Sequence, residues 1–141
     1  MQPWELAQQY IGVPFQHMGR SVRGLDCVGL LLLIAWTRGW RVEDLPYYGR
    51  EPASNNNSFD LRDHLRRYLG DPVDRPLQPN DIPLMKLRPR FDPAHVGIIT
   101  PHPYGLGIIH SNGQLGRVTL QRIDQQRMDQ IVEVYQWPVK H

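Results

Sequence analysis

The sequence predicts an α+β fold, because helical patterns fill the first half of the chain and strand patterns fill the second. Two segments carry the helical pattern: a Leu- and Ala-rich run that follows Cys27, and residues 58–70, where apolar positions recur at helical spacing. After the proline-rich connector 70–81, short apolar or alternating runs take over. With 141 residues the chain is long enough for a core of its own, so we expect a single domain over 1–141.

Three helices are expected in chain order. The first covers Trp4–Tyr10 and is amphipathic. The second begins at Cys27, with Asp26 as its N-cap, and ends near Arg38–Gly39. Because this second helix is apolar on almost all sides, we expect it to be central and buried. The third lies within 58–70 and ends at the glycine that closes that segment.

The second half of the chain predicts a mostly antiparallel sheet on which the helices pack. Its strand candidates are the runs "IPLMKL", "AHVGIIT", "LGIIHS", "RVTLQR" and "IVEVYQW", which are separated by turn residues. Residues 40–57 are polar and rich in proline and asparagine, which is typical of a loop. A lid over a site is one role open to that loop.

Composition excludes several classes of protein. The chain is 40% hydrophobic and 21% charged with a net charge of +2, which is typical of a folded globular protein. No long basic run or array of interleaved aromatic residues indicates a nucleic-acid partner. The apolar run 28–36 is far short of the ~20 residues of a membrane span, so no membrane insertion is expected. The N-terminus lacks the layout of a signal peptide, which predicts synthesis in the cytoplasm.

Cys27 is the one cysteine of the chain, which excludes an intramolecular disulfide. At the first position of a helix, unpaired N–H groups and the helix dipole favour a thiolate and lower the thiol pKa. Gly29 leaves room for backbone or substrate to approach. Asp26 would raise the thiol pKa unless its carboxylate accepts helix N–H bonds or pairs with Arg20 or Arg23. A buried structural cysteine is the alternative that this segment leaves open.

His95 and His110 are the candidate partners of the cysteine, because each lies within an apolar strand where a polar ring needs an explanation. A hairpin around "PHPY" places His95 opposite His110, and a shift by two residues keeps both rings on one face. In this arrangement His110 orients His95 and His95 faces the cysteine. A zinc site is a competing interpretation, although no C-x-x-C or H-E-x-x-H spacing supports it. The remaining histidines are placed in loops, turns, a polar helix face and the C-terminus: His17, His64, His102 and His141.

Three stretches of the sequence resemble the NlpC-type cysteine peptidases, a papain-like family that cuts peptide stems of peptidoglycan. They are "YIGVPFQHMGRSVRGLDCVGL", "QPNDIPLM" and "AHVGIITPHPYGLGIIHSNG". The family pattern has a "P-Y-x-x-G-G…G-x-D-C-S-G" block, a "P-G-D" before a strand, an "H-V-G-I-Y" strand and a polar residue on the next strand. The resemblance covers most of the chain and implies a papain-like NlpC-type fold.

By position, the resemblance implies Cys27 as the nucleophile, His95 as the general base and acid, and His110 as the orienting residue. It implies peptidoglycan stem peptides as substrates, cut at a D-γ-glutamyl–diaminopimelate type of bond, with no cofactor and no metal. With the pattern "F-x-H-x-G-R-S" and without the layout of a signal peptide, the sequence is most similar to the phage-tail members of the family. Phage tail proteins are therefore possible partners.

The sequence departs from the family pattern at the oxyanion side of the site. The family tyrosine that helps to bind the oxyanion falls on Phe15, which has no hydroxyl group. The oxyanion would then depend on backbone N–H groups such as that of Cys27, or on another donor such as His17. Val28 and Asn80 replace the usual serine and glycine, and both changes look tolerable. Two alternatives follow: a catalytically silent module of a tail assembly, and a hydrolase of another amide or acyl ester.

Overall fold

The computed structural model describes residues 1–45, 61–87 and 93–138. Within these ranges the chain forms four helices: α1 (Pro3–Gln9), α2 (Cys27–Thr37), α3 (Leu61–Leu69) and α4 (Gln125–Gln130). The same ranges contain eight short strands: β1 (Arg20–Ser21), β2 (Gly24–Leu25), β3 (Ile82–Met85), β4 (His95–Val96), β5 (Ile98–His102), β6 (Gly105–His110), β7 (Thr119–Arg122) and β8 (Ile131–Tyr135).

The described strands pair antiparallel in three sheets. β1 and β2 form a small hairpin, and the larger sheets have the orders β4-β3-β8 and β5-β6-β7. Backbone hydrogen bonds from Asn80 N–H to Ile99 O (2.8 Å) and from Ile99 N–H to Asp81 O (2.9 Å) link the two larger sheets. The predicted α+β class with antiparallel sheets is therefore confirmed at this general level.

Helix α2 is the central element of the described fold, as its all-round apolar sequence predicted. Leu30 and Ile34 are fully buried in the main core, together with residues from α1, α3 and the strands. The helix begins at Cys27 with Asp26 as N-cap, as expected, and the cap side chain accepts from Gly29 N–H. The buried side chains of α2 therefore fix the position of Cys27, which is half-buried and packs against this core.

Helix α3 is amphipathic, as its spacing predicted. Leu61 and Leu65 are buried in the main core. On its other side, Arg62 and Arg66 make salt bridges of 2.8 and 2.7 Å with Glu133 of β8, which holds the helix against the sheet. Most of the predicted loop, residues 46–57, lies outside the described residues, as do the start of the predicted helix (58–60), residues 88–92 and 139–141, including His141.

The hairpin β5–β6 has a register that differs by two residues from the predicted one. Ile99 lies opposite Ile108, and His102 lies opposite Gly105. Gly105 has φ +117°, a left-handed conformation that favours glycine, and it helps to close a two-residue turn at the tip. The turn is centred between Pro103 and Tyr104, one residue later than the predicted pairing requires, which moves each pairing partner by two positions. His95 is therefore not directly opposite His110, but the parity of the two faces is kept.

Two elements were not predicted. The basic loop before Cys27 contains the hairpin β1–β2, and the short helix α4 lies between the last two strands, begun by the N-cap Asp124. Asn80, at the position where the sequence resemblance led us to expect glycine, has φ +76° and is thus in the region where asparagine is tolerated better than most residues. No helix in the described ranges is long and apolar enough to cross a membrane.

Candidate active site

A pair of buried histidines forms the centre of the candidate site. His95 of β4 and His110 at the end of β6 are 5% and 1% exposed. His95 Nε2 and His110 Nδ1 are 2.7 Å apart, which is hydrogen-bonding distance. Gly97 lets the chain between β4 and β5 approach β6 closely, since an added Cβ there would lie 2.7 Å from Ile108 Cδ1. The predicted contact between the two rings is present, although the predicted register was wrong.

Gln121 extends the pair into a chain of three side chains. His110 lies opposite Thr119 of β7, so Gln121, two residues on, is its diagonal neighbour on the same face. Gln121 Oε1 lies 2.6 Å from His110 Nε2. Because the amide oxygen accepts, His110 donates from Nε2 and receives at Nδ1, and His95 donates from Nε2. This tautomer leaves His95 Nδ1 unprotonated, as a general base requires.

Both imidazole rings are held neutral. Burial lowers the pKa of His95 to about 3, and the positive charges of His110 and Arg127 act in the same direction. Burial also lowers the pKa of His110 to about 4; the hydrogen bond to Gln121 opposes this shift and the charge of Arg127 adds to it. At neutral pH the pair is therefore uncharged.

The lowered histidine pKa values make the folded protein less stable in acid. A histidine with a folded pKa below its unfolded value stabilises the fold above pH ~6.5, and this contribution is lost as pH falls towards the folded pKa. Between pH 6.5 and 4, the free energy of unfolding should fall by up to about 1.4 kcal/mol per pH unit for each ring. Urea unfolding at several pH values measures this slope. His110→Gln should flatten this slope, and an unchanged slope in that variant would contradict the role of burial. The matched control is His102→Gln at the hairpin tip, which should keep the slope of the wild type.

Cys27 lies with its thiol beside β4. The backbone N–H of Val96, the residue after His95, hydrogen-bonds to the sulfur and lowers the thiol pKa, as does the N–H of Val28. Burial, followed by the nearby Asp26 carboxylate, outweighs these groups and raises the pKa of Cys27 to about 12. The expectation of a lowered thiol pKa was therefore wrong for this structure. The helix terminus does not compensate for the loss of solvent around the sulfur.

Asp26 joins the start of α2 to the loop that precedes it. Its buried carboxylate accepts from Gly29 N–H (2.8 Å), from Met18 N–H (2.9 Å) and from Arg20 Nη1 (3.0 Å). Of the two predicted arginine partners, Arg20 is the one observed, and its Nε also donates to Asp44 at 3.0 Å. Asp26 was assigned to the substrate and oxyanion region from the sequence. Its observed contacts are those of a positioning residue for the cysteine helix.

Phe15 and His17 lie in the segment that leads to this loop. The Phe15 ring is half-buried beside Gly113, where an added methyl group would lie 3.6 Å from it. His17 occupies a turn, and the next residue, Met18, donates its N–H to Asp26. Phe15 supplies no hydrogen-bond donor, so the candidate oxyanion donor is the backbone N–H of Cys27, in the first turn of α2 where helix N–H groups lack intrahelical acceptors.

Sequence reasoning missed Gln121 and Arg127. Gln121 lies in a predicted strand. Pairing that strand with the one that carries His110 would have placed Gln121 beside the histidine. Arg127 lies in α4, a helix that no hydrophobic periodicity of the sequence indicated. Among the described residues no group of three or more His, Cys, Asp or Glu side chains could hold a metal ion, so the zinc interpretation has no cluster there to support it.

Comparison with known proteins adds little to this geometry. No protein-family model matches the chain, and no curated protein matches it. One solved structure to which it is similar is the "Crystal structure of a putative xylanase from Bacteroides fragilis", with 12% identity and a TM-score of 0.31. That match covers 76% of this chain and 42% of the other, so the chain spans less than half of that protein. A likeness of this size carries no argument about fold or function.

Proposed function

We propose that the protein is a cysteine endopeptidase with a papain-like NlpC-type fold that cleaves the peptide stems of bacterial peptidoglycan. The observation that supports this most directly is the hydrogen-bonded chain Gln121–His110–His95, which leads to the strand whose Val96 N–H contacts the Cys27 sulfur. A nucleophile, a base and groups that orient the base are the parts that covalent acyl transfer needs. The sequence resemblance supplies the proposed bond, of the D-γ-glutamyl–diaminopimelate type.

The proposed reaction has two acyl-transfer steps. In the first, the Cys27 sulfur attacks the γ-carbonyl carbon while its proton passes to His95 Nδ1. The tetrahedral intermediate collapses, the C–N bond breaks, and His95 returns that proton to the leaving amine, which leaves a thioester on Cys27. In the second, water attacks the thioester carbon and gives a proton to His95. The C–S bond then breaks, the carboxylic acid leaves, and the sulfur takes the proton back.

The electrostatics of the site favour proton transfer that accompanies carbon–sulfur bond formation. Before substrate binds, the thiol and the imidazole are both neutral, because burial disfavours each charged form. A separated thiolate and imidazolium would be costly in this environment. Negative charge that develops on the substrate oxygen can instead be met by the N–H groups at the start of α2. Loss of one oxyanion donor costs about 10²–10³-fold in rate, so we expect Phe15 to make the enzyme slow.

The setting we propose is the tail of a phage or prophage, in which the protein would open the cell wall. This proposal rests on the sequence resemblance to phage-tail members of the family. Phage tail proteins would then be its partners, and peptidoglycan its substrate. The protein would be made in the cytoplasm and carried to the wall by the tail.

A catalytically silent structural module is the second candidate, and two observations favour it. The Cys27 pKa is raised to about 12, and Phe15 lacks the hydroxyl that the resemblance leads one to expect. Thiol alkylation does not separate the two candidates, because a thiol whose pKa is raised stays neutral and reacts slowly in either case. Formation of a cleavage product does separate them.

The test of the proposed function is the cleavage of defined stems. Purified protein is incubated with L-Ala-γ-D-Glu-meso-diaminopimelate and with isolated cell walls, and the products are identified by mass spectrometry. We expect the wild type to release diaminopimelate-containing fragments and Cys27→Ala to release none, with equal circular dichroism spectra. Equal release by both proteins would refute Cys27 as nucleophile. No release from any stem by folded wild type would favour the structural module.

A further inference from the structure

Arg127 of α4 carries a guanidinium group whose charge acts on both rings of the histidine pair. It is half-buried, and its Nη1 donates to Gln130 Oε1 at 3.2 Å. No salt bridge to Arg127 occurs among the residues that the structure describes. A partly buried cation without a carboxylate partner is costly, and its guanidinium suits bidentate binding of an incoming carboxylate.

The connections of α4 place this helix between the strands that lead to the two histidines. The helix follows β7, the strand that supplies Gln121 to His110, and Arg127 N–H donates to the N-cap Asp124 at 2.9 Å. At its other end, α4 leads directly into Ile131, which lies opposite Met85, which in turn lies opposite His95. With neighbouring strands ~4.8 Å apart, the backbone after α4 is roughly 10 Å from that of His95.

The charge of Arg127 affects the pKa of both rings. It lowers the pKa of His95 and also that of His110, although burial is the largest cause for each. Two neutral imidazoles cannot offset a guanidinium charge. An anion bound by Arg127 would therefore neutralise it and, at the same time, make His95 a stronger base for the thiol proton.

We propose that Arg127 binds the free α-carboxylate of the D-glutamyl residue in the substrate stem, so that the site selects stems in which this group is not amidated. A γ-linkage uses the side-chain carboxyl of glutamate for the scissile amide and leaves the α-carboxylate free. Three carbon atoms separate this carboxylate from the scissile carbonyl carbon. The inference rests on the proposed function, because it takes the D-γ-glutamyl stem as the substrate. It adds a specificity-determining residue and a preference that the catalytic geometry alone does not imply.

The test compares two peptides that differ in one group. Isothermal titration calorimetry measures binding of L-Ala-γ-D-Glu-meso-diaminopimelate and of its α-amide, the D-isoglutamine form, to the uncleaving Cys27→Ala variant. We expect the acid to bind about tenfold more tightly than the amide. Adding Arg127→Gln should bring this affinity ratio close to one, and Arg127→Lys in its place should keep part of the preference. Arg122 is an exposed arginine at the end of β7, so the control Arg122→Gln should leave the ratio unchanged.

Equal affinity for the two peptides, binding of neither, or a preference that survives Arg127→Gln would overturn the inference. Its failure is distinguishable from failure of the proposed function. Cysteine-dependent cleavage of acid and amide stems at equal rates would keep the peptidase and remove the carboxylate site. Preferential binding of the acid by a protein that cleaves neither stem would keep the carboxylate site and refute the peptidase.

Discussion

Replacement of His95 by glutamine is expected to reduce the rate of stem cleavage by about 10²–10⁴-fold, since general acid–base catalysis contributes about that much. The glutamine amide neither accepts the thiol proton nor delivers it to the leaving amine. The kcat on a D-γ-glutamyl–diaminopimelate substrate measures the effect, and the urea-unfolding free energy of the variant shows whether the fold is kept.

The rest of the hydrogen-bonded chain should show graded effects. His110→Gln keeps a polar group beside His95 and should reduce kcat less than His95→Gln does. Gln121→Leu removes the acceptor that sets the tautomer of His110, 2.6 Å away, and we expect a loss of about tenfold or more. His102→Gln at the hairpin tip is the control and should leave kcat unchanged. A His95→Gln enzyme that keeps wild-type kcat would exclude His95 as the base.

Replacement of Gly29 by alanine is expected to destabilise the fold by about 1–3 kcal/mol, the usual cost of overpacking. Helix propensity alone predicts the opposite sign, since alanine is favoured over glycine in a helix by about 1 kcal/mol. An added Cβ would lie 2.0 Å from the carbonyl oxygen of Gly19 and 3.0 Å from Arg20 Nη1. The loop that binds Asp26 would then have to move away from the cysteine helix.

Chemical denaturation of wild type and Gly29→Ala measures this change, and loss of stem cleavage should accompany it because Cys27 is two residues away. Gly113→Ala is the matched control. Its added methyl group would meet the Phe15 ring at 3.6 Å, an ordinary contact, so its stability should stay close to that of the wild type. A Gly29→Ala protein as stable as the wild type would show that the loop does not pack against the first turn of α2.

Much of the fold could be predicted because its signals are local. Asp26 before an apolar run predicted where the cysteine helix begins, and period changes predicted five strand segments that the structure contains. The hairpin register was wrong by two residues, since it depends on where the turn is centred, and the turn lies one residue further along the chain than predicted. Helix α4 escaped prediction because six residues are too few to show a helical period.

The candidate site was predictable in its members but not in its chemistry. The equal parity of His95 and His110 in their strands was enough to predict that the rings share a face, and a shift of two residues does not alter that. The direction of the Cys27 pKa shift was not predictable, because the helix terminus lowers it while burial and Asp26 raise it. Their relative sizes depend on how much of the sulfur is enclosed by other elements.

The sequence by itself determined the helix that carries Cys27, the cap that starts it and the face on which the two histidines lie. These features follow from capping and from the side-chain periods of helix and strand, which act over a few neighbouring residues. The tertiary structure decided the charge state of the thiol and the rings, and it brought Gln121 and Arg127 to them from β7 and α4. Burial and long-range charge are sums over residues far apart in the chain, so they exist only once the chain has folded.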